Sequence, residues 1–132
     1  MGFDLVGIKP KNDTGKEFRN NVWYWKPLWH LVANNTHELN DKDKQEGQFN
    51  NGHKIDGNAH KGIVETLRRL LRERPHDEVQ RALAQSQYIM IGDRKIIASE
   101  LSIGFGLRHQ FEWSNLELFL EFCENNEGFT IN

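Results

Sequence analysis

Three of the four tryptophans of this chain lie close together, at Trp23, Trp25 and Trp29, with Tyr24 among them. Each ring carries a large apolar body that favours burial and, in Trp and Tyr, one polar edge that needs a partner. We expect at least two of these rings to be buried, so the fold must build a core around this segment. A ring left exposed beside Arg19 would instead offer a stacking platform for a base.

A polar triplet, Arg19, Asn20 and Asn21, comes just before the aromatic run. A guanidinium binds phosphate or carboxylate groups in a bidentate manner, and amides add directional hydrogen bonds. The alternative is structural, with these side chains binding the backbone of an irregular segment. Because no apolar residue interrupts the triplet, we favour the functional interpretation and predict a ligand-binding site that also includes Trp23 and Trp25.

Residues 36–57 are polar and show no periodicity, which predicts a long loop of the kind that is often functional. His53, Asp56 and His60 in this region have side chains that suit zinc, manganese or iron. Their spacing matches no strong metal signature, so no metal site is assigned. The alternative is a loop histidine followed by a helix start at which Asp56 and Asn58 satisfy free N–H groups. We include His53 and Asp56 in the predicted ligand-binding site.

Hydrophobic spacing predicts the elements of the fold. Segment 18–25 is expected to be extended or irregular, because Pro27 lacks an N–H and suits the first turn of a helix. Ser114 and Glu117 match a capping box, and Gly128 is expected to end the helix that they begin. Strands are predicted at 3–8 and 129–131, a hairpin at 88–98 with Gly92 and Asp93 near its turn, and helices at 26–33, 59–73, 77–86 and from Ser114.

The two terminal strands are short and need partners for their backbone groups, so we expect them to lie in one sheet. The predicted fold class is α+β, a single compact domain over residues 1–132 with about four helices around a small sheet that pairs the N- and C-terminal strands. A chain of this length needs no disulfide or metal in order to fold.

Several segments resemble a family of small uncharacterised bacterial and phage proteins. They are the opening Gly-Phe-Asp-Leu-Val-Gly, the run Phe-Arg-Asn-Asn-Val-Trp-Tyr-Trp-Lys-Pro-Leu-Trp over 18–29, the residues around Gly52-His53 and Asp56-Gly57, and 111–131. Some members carry a cysteine-rich insertion similar to a zinc ribbon, which this chain lacks. Since Cys123 is its single cysteine, no four-cysteine zinc site can form within one chain. The resemblance implies a shared scaffold and a phage or mobile-element setting, without an established activity or cofactor.

Composition and charge argue against a nucleic-acid-binding, membrane-spanning or secreted protein. A formal net charge of −2 and a pI near 6.3 provide no overall attraction to nucleic acid or to an anionic membrane. No apolar run is long enough to span a bilayer, the start of the chain does not match a signal peptide, and the lone cysteine fits a reducing compartment. We therefore expect a cytoplasmic protein. The basic run from Arg68 to Arg74 is interpreted as a solvated helix face, and Cys123 as an inert core thiol.

The first functional hypothesis is a non-enzymatic binding protein that holds a small anionic or nucleotide-like ligand, or a protein partner. Its cleft would lie between segments 19–29 and 53–58, so Arg19 and His53 should converge. The second is a metal- or histidine-dependent hydrolase of a phosphoester or nucleotide, with His53 as ligand or base, Asp56 as its orienting group and Arg19 as a charge clamp. The third is a structural interaction module that uses exposed rings. The sequence leaves open the ligand, any cofactor, catalysis itself and the oligomeric state.

Overall fold

The computed structural model describes residues 2–91, 94–97 and 109–132. The strands are β1 (Gly2–Gly7), β2 (Glu17–Asn21), β3 (His53–Asp56), β4 (Tyr88–Ile91), β5 (Arg94–Ile97) and β6 (Gly128–Ile131). The helices are α1 (Val22–Asn35), α2 (Asp41–Glu46), α3 (Gly57–Glu73), α4 (His76–Ser86) and α5 (Trp113–Glu124), with a single 3₁₀ turn at Asp13–Gly15. No helix among the described residues is long and apolar enough to cross a membrane.

Four strands form an antiparallel sheet in the order β2-β1-β6-β3. The predicted pairing of the terminal strands is confirmed, because Leu5 of β1 lies opposite Ile131 of β6. Buried Phe3 and Leu5 alternate with exposed Asp4 and Val6 along β1, which gives the sheet a buried face and an exposed face. The buried face shares one hydrophobic core with α1, α3 and α5. The α+β class is thus confirmed, with five helices in the described part of the chain.

The predicted start of α1 is wrong. Residues 18–21 are extended, as one of the two predicted alternatives requires, because they belong to β2. The helix, however, begins at Val22, where the Asn21 side chain accepts a hydrogen bond of 3.1 Å from the Tyr24 N–H. Pro27 therefore lies inside the helix. Its missing N–H leaves the Trp23 carbonyl without its usual helical donor. The Gln110 N–H donates to that carbonyl at 2.9 Å, so the interior proline costs no unpaired backbone group there.

The interpretation of residues 36–57 as a long loop is also wrong. Asn40 and Asp43 form a capping box that begins α2, and β3 pairs with β6 at the edge of the sheet. Both elements are too short to show periodicity, so composition alone suggested a loop. Asn58 does not cap α3, since the helix begins at Gly57 and Asp56 precedes it without a side-chain capping bond.

The predicted capping box at Ser114 is wrong too, because α5 begins at Trp113 and no side chain caps it. Gly128 does not end α5 but begins β6. Its φ of 153° suits glycine, and a side chain there would collide with the Ile55 carbonyl of β3. The helix at α4 and the antiparallel pairing of β4 with β5 agree with the predictions, while Gly92 and Asp93 lie outside the described residues.

Candidate functional site

Arg19 and His53 do not converge. They lie in β2 and β3, the two opposite edges of the sheet, so three strand spacings of roughly 14 Å separate them. They also lie on opposite faces. His53 pairs with buried Ile131, whereas Arg19 pairs with exposed Asp4, which precedes buried Leu5. The predicted cleft between these two segments is therefore absent from the described fold.

The polar triplet has structural contacts. Asn20 exchanges two amide hydrogen bonds with Asn115 of α5, at 2.8 and 3.1 Å. Asn21 caps α1, and Arg19 lies on the exposed face of the sheet with Asp4 at 3.5 Å. The amides of Asn20 and Asn21 thus join β2 to the helices, a structural role that differs from the expected binding to loop backbone.

Two of the three clustered tryptophans lie in the core, as expected. Trp25 and Trp29 are fully buried, and their indole N–H groups donate to the Gly47 and Lys44 carbonyls, each at 2.9 Å. Trp23 is only partly buried, and its ring lies 4.9 Å from the His109 ring. Trp25 is therefore enclosed in the core, while Trp23 packs at the rim.

His53 has a different partner from the one expected. Its Nε2 lies 2.7 Å from Oδ1 of Asp43, and both side chains are largely buried. Asp43 also closes the capping box of α2, so a single carboxylate fixes the helix start and joins it to β3. Among the described residues, no group of three histidine, cysteine or acidic side chains is placed to hold a metal ion.

Among the described residues, a groove of about 720 Å³ lies between α3, the end of α5 and the turn after β1. Its volume falls in the range of small-molecule sites. Asp56 is the only member of the predicted ligand-binding set that lines it, and it is joined there by His60. Ile8, Val64 and Cys123 contribute apolar surface.

His60 is a buried polar side chain of the groove wall, at 6% exposed, and it lies beside Asn126, which is 3% exposed. Asn126 donates its amide N–H to the Gly15 carbonyl and accepts from the Gly128 N–H, so its oxygen faces Nε2 of His60 at 3.0 Å. Nε2 must therefore carry a proton. Burial lowers the pKa of His60, and the hydrogen bond with Asn126 opposes that shift. The imidazole is thus a neutral, fixed part of the groove wall.

Charged side chains surround the groove, and most form pairs. Lys9 pairs with Glu127 at 3.6 Å. Lys54 pairs with Asp56 at 3.4 Å. Arg68 pairs with Glu124 at 2.8 Å. Among the described residues, Lys11 and Lys61 have no carboxylate within ion-pairing distance, and the Lys11 Nζ contacts the backbone carbonyl of Glu124 at 3.4 Å. These two ammonium groups are the cations most available to a ligand.

A second group of basic side chains lies on α1 and beside it. Burial lowers the pKa of His30 to about 4, and Lys26 and His109 act in the same direction. Burial and Lys26 likewise lower the pKa of His109 to about 4. Both imidazoles are consequently neutral at pH 7. The His109 ring also packs against the Trp23 ring, so this cluster contributes to the packing beside α1.

Comparisons of the chain with protein-family models, with curated proteins and with solved structures gave no match. The groove therefore has to be interpreted from its own chemistry. Sequence reasoning missed Lys9, Lys11 and Lys61, which lie in an ordinary turn-rich loop and on a helix face. The Lys-Pro-Lys run at 9–11 is a weak sequence signal for anion binding. Only the fold shows that this run lies beside α3.

Proposed function

We propose that this protein is a binding protein that holds a small anionic ligand in the groove between α3 and the end of α5. The supporting observation is that Lys11 and Lys61 face this groove without carboxylate partners among the described residues. An ammonium group that already faces a cavity keeps its donors available to an incoming anion. The fixed imidazole of His60 and the apolar surface beside it complete the wall.

The shape of the groove favours a small molecule over a protein partner. The volume of the groove, about 720 Å³, is that of a small-molecule site, whereas a protein interface buries on the order of 800 Å² on each partner. The lining carries five cations and four carboxylates, counted over the same residues, so the excess of positive charge is small. Recognition therefore depends on the positions of Lys11 and Lys61 rather than on a strong positive potential of the whole groove.

Calorimetric titration with inorganic pyrophosphate tests this proposal. We expect Lys11→Ala and Lys61→Ala each to weaken binding by roughly tenfold, because each removes a charge-assisted contact. Lys42→Ala is the matched control, since Lys42 lies on α2, is exposed and does not line the groove. Equal losses in all three variants would indicate nonspecific charge attraction, and a wild-type protein that binds no pyrophosphate would contradict the proposal.

A further inference from the structure

The ion pair between Arg68 and Glu124 lies within the groove. Arg68 directs two donors, Nε at 3.0 Å and Nη2 at 2.8 Å, to the same oxygen of the Glu124 carboxylate. The side chains are 56% and 35% exposed, respectively. A guanidinium fork of this kind is the group that proteins use to bind phosphate and carboxylate ligands. Here a carboxylate of the chain itself occupies that fork.

Glu124 connects this fork to the free lysines. Its backbone carbonyl contacts the Lys11 Nζ, while its side chain holds Arg68, so both cations flank one residue. Lys61 stands seven positions before Arg68 on α3, which places their backbones on the order of 10 Å apart along the helix. Both side chains are long enough to close much of that gap. Lys11 and Lys61 thus line the same groove as the Arg68 guanidinium, which Glu124 occupies.

We propose that the groove takes a ligand with two anionic groups, one bound by Lys11 and Lys61 and the other bound by Arg68 in place of Glu124. This inference rests on the proposed function. Replacing the Glu124 carboxylate by a ligand anion costs little free energy, because exposed ion pairs are weak. Glu124 is also the last residue of α5, so its side chain can turn to solvent. Glu65 also lines the groove between these positions on α3, so a neutral spacer between the two anionic groups suits the site.

Two commercially available sugar phosphates provide matched probes, fructose 1,6-bisphosphate and fructose 6-phosphate, which differ by one phosphate. We expect Glu124→Gln to bind the bisphosphate about fivefold more tightly than the wild type, because the internal competitor is gone. Binding of the monophosphate should stay within about twofold, since that ligand can be held by the lysines alone. Arg68→Gln should remove the preference for the bisphosphate.

Glu127→Gln is the matched control. It removes the same charge from the same groove, but Glu127 pairs with Lys9 rather than with Arg68. Equal gains in the E124Q and E127Q variants would overturn the inference, because they would show an effect of net charge alone. Glu124→Ala is a second variant in case Glu124→Gln fails to fold.

The failures of the two proposals are distinguishable. If the wild type binds both sugar phosphates equally, the two-anion inference is wrong, while lysine-dependent binding of pyrophosphate would still support the proposed function. If pyrophosphate binds without dependence on Lys11 or Lys61, or not at all, both proposals fall together.

Discussion

At the residue scale, Trp25 and Trp29 each pack their ring in the core and also donate a hydrogen bond from the indole N–H. Each ring is enclosed by the core, and each indole N–H finds a backbone carbonyl in the segment after Asn40. The sequence identified these rings as core candidates because of their size. It could not identify the carbonyls that they bind, since Lys44 and Gly47 are distant in sequence and have no distinctive side-chain pattern.

Gly47 lies directly against the Trp29 ring, and an added methyl group would collide with it. We expect Gly47→Ala to destabilise the protein by roughly 1–3 kcal/mol, because an overpacked core must shift. Gly2→Ala is the control, since its nearest neighbour would lie at 3.8 Å. Urea unfolding measures both, and a Gly47→Ala variant as stable as Gly2→Ala would contradict the described packing of α2 on α1.

Leu67 and Leu118 are chemically identical but differ in burial, with 0% and 55% of their surfaces exposed. Leu67→Ala should cost roughly 2–5 kcal/mol, because a cavity remains in the core. Leu118→Ala should change the free energy of unfolding by less than about 0.5 kcal/mol. Denaturant melts test the pair, and similar losses in the two variants would show that α3 does not pack as described.

At the element scale, the sequence predicted most of the helices and strands and missed α2, β3 and the start of α1. The helix at α3 shows its apolar face through Ile63, Leu67 and Leu70, all fully buried. By contrast, α2 and β3 are too short to show a hydrophobic periodicity, and tertiary contacts fix their position in the fold. The start of α1 was missed because Pro27 was placed in the first turn of the helix, whereas Asn21 caps the helix and Pro27 lies inside it. Only the fold supplies Gln110 to compensate the proline.

The contacts of Asp43 predict how α2 is held. Because this carboxylate both caps α2 and binds His53, Asp43→Ala should release the helix while leaving the sheet intact. Hydrogen exchange should then accelerate for amides 43–49 and remain slow in β1 and β6. Asp41→Ala is the control, because Asp41 is an exposed residue of the same helix. Uniform acceleration throughout the chain would show that α2 does not open as a local unit.

At the scale of the whole molecule, acid should destabilise the fold through His30 and His109. Unfolded imidazoles take up protons near pH 6.5, whereas burial keeps these two neutral until about pH 4. The unfolded state therefore binds more protons, and the stability present above pH 6.5 is lost as the pH falls towards 4. We expect a loss on the order of 1 kcal/mol for each histidine between pH 7 and pH 5.

Unfolding of the wild type and of a variant carrying both His30→Gln and His109→Gln isolates this contribution. The variant keeps every carboxylate and His60, so the difference between the two pH profiles belongs to the two imidazoles. Parallel profiles between pH 7 and pH 5 would show that His30 and His109 titrate normally in the folded protein.

The sequence predicted the fold class and the pairing of the chain ends, but its expectation that Arg19 and His53 converge is wrong. The predicted site grouped Arg19 with His53 because both segments looked irregular and polar. In the fold these residues occupy opposite edges and opposite faces of the sheet. The groove instead combines Lys11, Lys61 and Glu124 from three separate segments. Without the topology, nothing in the sequence joins those segments.

The most direct test of the groove is an NMR titration of the ¹⁵N-labelled protein with inorganic pyrophosphate. We expect chemical-shift changes concentrated at amides 8–11, 57–65 and 123–127, with little change at 17–25 and 43–53. Shift changes centred on Arg19 to Trp25 or on His53 would contradict this expectation, as would the absence of any saturable change at millimolar pyrophosphate.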